Sequence, residues 1–456
     1  MIVGFHAWRQ ADTASIAKNF YESGNSILYP QIDWRGNTEG FVESEFHIYP
    51  YLVSVFYNIF GLNEAIGRIV SIIFSVIATF YLFLLVKLII NEKSALWSAV
   101  IFSILPMNFF FSRAFMPESA MIMFSIAGIY FYLSWINSDK LKFYIFSLIC
   151  ISLAVLIKLP VLYLGIPLIF LSYYKYKFKF LLNYKIWFFA FVVILFVFLW
   201  YNHAHNLYKS TGLTFNIWNY GSDKWGTYHL LINPDFYSSV FIKSIVERQL
   251  TFAGTLLFIF GLFINRNSKL EFLFDWWLIA IIFFILFVSQ GNLAQEYYQL
   301  PIVVPASVFI GKLISKYLDL EYFKSGNFKD KFKFSIVSFL FIFLVLLSIF
   351  RIENLISKEK VETEFVELIN HMKINSDKND KVISFTDGNP VLFYNIDRKG
   401  WHLNLTELNK IDSLNNIGAK FLIGNKKSIN DNIDTLLNIN RNIILDNSEY
   451  FIVKLN

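Results

Sequence analysis

Ten long apolar runs follow one another along the chain, near residues 66–90, 95–111, 118–136, 143–157, 159–174, 186–201, 250–264, 272–288, 298–318 and 334–350. Crossing a bilayer takes roughly twenty apolar residues in an α-helix, so the series reads as about ten spans. The fold class expected is an α-helical polytopic membrane protein. Composition agrees, because only 16% of the 456 residues are charged, where a soluble domain carries about a quarter. The net charge of +6 is spread over short loops. It reads as topology signal and lipid contact, with no nucleic-acid partner. The single Cys150 excludes an intramolecular disulfide and reads as a small buried hydrophobe.

Basic residues set an orientation. Lys175, Lys177, Lys179 and Lys185 share one loop, Arg266 and Lys269 a second, and Lys312, Lys316, Lys324, Lys329, Lys331 and Lys333 surround a third. Placing all three inside by the positive-inside rule puts a defined set outside: the front segment, 112–117, 158–160, 202–249, 291–297 and the C-terminal tail. Residues 1–5 are too short for a signal peptide. Translocating the front segment then requires a preceding helix or a reversed first span, and a preceding helix outside this chain is the expectation.

Three regions follow. Residues 1–62 form a first external loop, with 49–60 as a short interfacial helix. Residues 63–351 form the membrane domain, with a long external loop at 202–249 that carries His203, His205, Trp218, Trp225 and His229. Residues 352–456 turn polar, with a helical pattern at 361–372 and strand-like runs KVISF, AKFLIG, NIILD and YFIVKL. They predict a small extracytoplasmic α/β domain.

Charge beside a bilayer is costly unless it meets water, a partner or a substrate. The outer face gathers Asp12, Glu43, Glu45 and Glu118 as acids, with Arg9, Arg35, Arg113 and Lys158 as cations and the Tyr297 and Tyr298 hydroxyls. Each charge at a span end can be an interfacial anchor that snorkels to water; their shared face favours a site. Lys158, in LIKLP, splits two apolar runs. His203 and His205 would share one side of an extended segment, a weak metal signal. No HExxH, CxxC, P-loop or GxSxG motif occurs.

The stretch HAWRQADTASIAKNF around Asp12, followed by VESEFHIYPYLVSVFYNIFG with Glu45, resembles the first external loop of the GT-C glycosyltransferases. Among these it is similar to bacterial relatives of the protein O-mannosyltransferases and the lipid A aminoarabinose transferase. SRAFMPESA resembles the family phrase that carries an acid at Glu118. AVLIKLP resembles the one that carries Lys158, and EYYQLPIVVP a family helix start. The pieces occur in order over about three hundred residues. The departures are Thr13 after Asp12, Phe46 at the position of a family lysine, and Glu rather than Asp at 118.

The resemblance implies a GT-C fold and an inverting transferase that moves a hexosyl or pentosyl group on the external face of the cell (inner) membrane. The donor would be a polyprenyl-phosphate sugar and the acceptor a glycolipid, surface glycan or protein. Asp12 would be the base, with Glu45 and Glu118 assisting in catalysis. Lys158, Arg113, Tyr297 and Tyr298 would hold the donor phosphate. Arg9, Gln10, Glu43 and His47 would contact acceptor or sugar. A divalent cation is compatible with this reading, and no other cofactor is expected. A polyprenyl-linked glycan flippase and a non-catalytic binding or assembly protein are the alternatives. Charges confined to one face disfavour transport, which places polar groups near the midplane.

Overall fold

The computed structural model describes residues 1–215, 224–357, 359–429 and 442–455, so Trp218 lies outside the described residues. The first nine helices are α1 (Ala7–Ser23), α2 (Ile48–Phe60), α3 (Glu64–Ile89), α4 (Glu92–Ile104), α5 (Pro106–Arg113), α6 (Glu118–Ser138), α7 (Leu141–Ile157), α8 (Gly165–Tyr176) and α9 (Tyr184–Thr211). All ten apolar runs are helical, and the protein is an integral membrane protein with a small C-terminal sheet. Among the described residues seven helices are long and apolar enough to cross a bilayer, or eight if α4 and α5 make one bent span.

The difference from ten spans has local causes. Pro106 has no N–H and drives Leu105 out of the helical region; Leu105 sits at φ −59°, ψ 129°, and α4 and α5 meet at 69°. Pro160 likewise separates α7 from a 3₁₀ turn at Leu159–Leu164 and then α8. The segment expected as the loop 202–249 is mostly helical at its ends. Helix α9 continues to Thr211, and Pro234–Leu262 forms one span that includes a π-helical stretch, Ser238–Leu250.

The chain divides into two compact units. One comprises Met1–Gly67, Ala204–Phe215 and Leu355–Asn456. Its sheet has the order β2-β1-β3-β5-β4, with β1 (Lys381–Phe385), β2 (Lys399–His402), β3 (Ala419–Asn425), β4 (Asn442–Asp446) and β5 (Tyr450–Lys454). Strand β1 pairs in parallel with β2 and β3, while β5 is antiparallel to β3 and β4. Side chains alternate across a strand, and here both faces are covered. Val382, Phe421 and Ile452 pack on Phe365, Leu368 and Met372 of Thr363–Asn375. Ile383, Leu422 and Val453 pack with Leu403 and Ile411 on the other side. The edge at β2 is closed by the front segment: Gly400 N–H donates to Asp33 O at 3.1 Å, and Gly36 N–H to Gly400 O at 2.7 Å. Gly36 has φ +57°, and a Cβ there would fall 2.3 Å from the Trp401 Nε1.

The other unit, Arg68–His203 with Asn216–Asn354, is a helical bundle. The span Glu296–Tyr317 is 89% buried, whereas Phe328–Ser357 is only 22% buried and faces outward. Close helix approach in lipid depends on small residues. A Cβ on Gly311 would lie 2.4 Å from Ser98 Oγ, and one on Gly261 2.4 Å from Phe309 O. Gly311→Ala should therefore cost about 1–3 kcal/mol through overpacking, read as a lower Tm of the detergent-purified protein.

Candidate active site

Helix α1 has few large apolar residues, yet every residue from Gln10 to Phe20 is buried. Buried polar groups need partners. Asn19 Nδ2 donates to Asp33 Oδ1 at 2.9 Å and to Gln31 O at 3.1 Å, Lys18 pairs with Asp397, and Thr13 Oγ1 donates to Arg9 O at 2.8 Å. The helix starts after His6 and stops at Gly24, whose φ of 66° suits glycine and whose N–H caps Phe20 O. Residues 7–23 of the front segment are therefore a buried helix. Only Ile16 and Phe20 of α1 join its small core with Ile32 and Val42.

Asp12 is the centre of this polar group. It accepts a hydrogen bond from Trp34 Nε1 at 3.1 Å. Burial pushes its carboxyl up to about 7; the Trp34 hydrogen bond and the Arg9 charge oppose that shift, and Asp33 adds to it. A carboxyl that titrates near neutrality can both take and release a proton at working pH. Arg9 Nη2 meets Glu45 Oε2 at 2.6 Å, and its guanidinium lies 5.5 Å from the centre of the Phe215 ring. Phe215 in turn packs edge-on against Trp34.

The other front-segment candidates have structural contacts. Glu43 is fully buried, accepting from Thr214 Oγ1 and facing His205 Nδ1 at 3.2 Å; its backbone bonds Leu213 and Phe215. Gln10 Nε2 donates to Phe5 O at 3.0 Å. His47 lies against Ser44 Oγ, and burial pushes its imidazole down to about 3, against the pull of Glu45, so it is neutral at physiological pH.

In the bundle unit, Lys158 and Glu118 meet. Lys158 ends α7 and is held by the following Leu159-Pro160, while Glu118 opens α6, where the helix N-terminus favours a carboxylate. Lys158 Nζ is 2.6 Å from Glu118 Oε1, and both are buried. The ammonium also lies 4.1 Å from the ring centre of Tyr297 and 5.1 Å from that of Tyr298. The result is a carboxylate-and-aromatic cage around a single cation. Arg113 ends α5, five residues before Glu118.

Sequence reasoning missed several groups. Trp34 and Asp33 had no motif to mark them, although the run IDWRGN mixes acid, indole and cation. A polar network inside the bundle was also missed: Ser244 Oγ donates to Gln299 Oε1, Gln299 Nε2 to Asn292 O, and Gln249 Nε2 to Glu296 O, with Arg248 paired to Glu296. Its residues lie on and beside the π-helical stretch, whose register a 3.6-residue period does not follow, and π-turns concentrate at functional sites. His203 and His205 lie in α9, where an i, i+2 pair points apart. Among the described residues no set of three His, Cys, Asp or Glu side chains could hold a metal ion, so no step is assigned to one.

Removing one member of a buried ion pair costs about 3–5 kcal/mol, whereas replacing both with apolar side chains is often neutral. Glu118→Gln should accordingly lower the Tm sharply, and the Glu118→Met/Lys158→Met double variant should recover most of it.

Residues 47–201 match the family model described as Dolichyl-phosphate-mannose-protein mannosyltransferase. No curated protein matches the sequence. The structure is similar to that of ArnT from Cupriavidus metallidurans bound to undecaprenyl phosphate, with a TM-score of 0.71 at 10% identity over 99% of this chain and 94% of that one. It is also similar to the apo oligosaccharyltransferase of Archaeoglobus fulgidus, with a TM-score of 0.58 at 13% identity over 94% and 67% of the two chains. The chain thus has the fold of these GT-C glycosyltransferases, and its residues 47–201 resemble the mannosyltransferase family model.

Proposed function

We propose that the protein transfers a sugar from a polyprenyl-phosphate donor to a glycolipid, surface glycan or protein acceptor at the outer face of the cell membrane. The observation that carries this reading is the buried Asp12 carboxyl, held by Trp34 and titrating at about 7. An acceptor hydroxyl is a poor nucleophile until a base takes its proton. Asp12 takes that proton as the acceptor oxygen bonds to the anomeric carbon. The bond from that carbon to the phosphate oxygen breaks, and the polyprenyl phosphate leaves with its electron pair. A single displacement of this kind inverts the anomeric configuration.

The departing phosphate gains negative charge, which a fixed cation stabilises. Lys158 is assigned that task, with Arg113 assisting and Glu118 orienting the ammonium while no donor is bound. Tyr297 and Tyr298 hold the ammonium by their ring faces. Arg9 and Glu45 orient the sugar or acceptor. An apolar cavity of about 360 Å³, lined by Val161, Leu164, Leu168, Phe189 and Val193 among others, follows Lys158 closely in the chain. It suits an isoprenoid tail. ArnT, whose structure is so similar, binds undecaprenyl phosphate. The match to a dolichyl-phosphate-mannose transferase family supports the same donor chemistry. The basic loops, read by the positive-inside rule, support the outward orientation.

Asp12→Asn should lower kcat by roughly 10²–10⁴-fold, the usual contribution of a general base, without loss of membrane expression. Full activity with the true donor would remove Asp12 from this role. The base form of Asp12 is the minority below pH 7 and the majority above it, so kcat/KM should climb through about pH 7. Trp34→Phe deletes a hydrogen bond that lowers this pKa. It should displace the rising limb to higher pH, a shift that a loss of folded protein alone would not produce.

A further inference from the structure

Within the unit that carries Asp12 lies a cavity of about 760 Å³, lined by Trp34, Arg35, Trp401, His402, Asn404 and Asp387, among others. None of its residues from the C-terminal sheet enters the chemistry above. Its size falls within the roughly 300–1,000 Å³ of sites for small ligands, and the sheet edge beside it is already occupied. Strand β2 spends Gly400 N–H on Asp33 O and Gly400 O on Gly36 N–H, which blocks an added peptide strand, the usual way to hold an extended acceptor chain. Two indoles, three amide or carboxylate side chains and a guanidinium remain along the wall.

That set suits carbohydrate. Indole faces pack against the C–H faces of pyranose rings, while planar Asn, Asp and Arg groups pair with neighbouring hydroxyls. Arg35 and Asp387 contribute one charge of each sign, and Arg35 Nη1 is engaged with Glu39 O at 2.8 Å. Among the lining residues Arg35 is balanced by Asp387, and the neighbouring Lys381 is already bound to Asn37 Oδ1. Among the described residues, neither ring nitrogen of His402 has a hydrogen-bond partner, although both are buried. Its ring packs on Phe393 and against Trp34. An unsatisfied buried polar atom costs about 1–3 kcal/mol, a cost that a ligand hydroxyl would relieve.

We infer that this cavity is a subsite for an uncharged short oligosaccharide that forms the distal part of the acceptor. The inference rests on the transferase reading, since it names the acceptor class for that reaction. Trp34 connects the two places: its ring lines the cavity while its N–H holds Asp12. A sugar seated on the indole would thereby be felt at the base.

The test uses the full-length Asp12→Asn protein in detergent, in which turnover is off, on a printed array of neutral, phosphorylated and sulfated di- to tetrasaccharides and short peptides. Retention of neutral oligosaccharides is expected, with Trp401→Ala weakening the best of them about tenfold, the upper range for one aromatic contact. Asp387→Gly provides a variant that spares the fold, because Asp387 sits at φ 50°, which glycine adopts freely. It should weaken the same sugars with an unchanged Tm, and it decides the matter if Trp401→Ala fails to fold. The inference is overturned if the array retains no neutral glycan, if only charged glycans or peptides bind, or if Asp387→Gly binds as the parent does. Any of these would leave the Asp12 assignment standing, whereas full transfer by Asp12→Asn would undo that assignment and leave the binding result intact.

Discussion

Charge removed from water has to bring its own counter-charge, and that constraint organises both units. In the bundle, Lys158 faces Glu118 and Lys312 faces Glu271, all four buried. Each pair joins parts of the chain some forty residues apart, so satisfying the charge also fixes which helix ends meet. In the other unit, Arg9 faces Glu45, Lys18 faces Asp397, and Glu43 is held by Thr214 and His205. Asp12 differs in kind. Its contact through Trp34 is a neutral hydrogen bond, too weak to offset burial, and the carboxyl therefore titrates near neutrality.

Much of the fold was legible because its signals are local. The apolar runs became helices, and KVISF, AKFLIG, NIILD and YFIVKL became β1, β3, β4 and β5. Strand β2 was not, since KGWH is four residues with a glycine and a lysine, and it exists only because β1 and the backbone of residues 33–36 flank it. Helix α1 escaped for the opposite reason. A helix buried on all sides has no polar face to set a period, and its side chains are too polar to read as core. The break at Pro106 bends a run, 95–111, that hydropathy alone reads as continuous.

The candidate site was legible as a list of residue types and not as a set of contacts. Asp12, Arg9 and Glu45 lie within forty residues and could be singled out together. That Trp34 binds Asp12, or that Glu118 pairs with Lys158, depends on tertiary placement that no spacing encodes. The polar network of Gln249, Gln299 and Asn292 was hidden by the π register and by its position within apolar stretches.

One feature of the Asp12 unit bears on how the protein is made. Its three segments are separated by more than a hundred residues, yet Asn395 forms reciprocal hydrogen bonds with the Ile2 backbone and Asp397 neutralises Lys18 in the same helix as Asp12. The helix that presents the acid reaches its buried environment only after about four hundred residues have left the ribosome. The surroundings of that helix are thus complete only once residues 395–397, near the far end of the chain, have joined it.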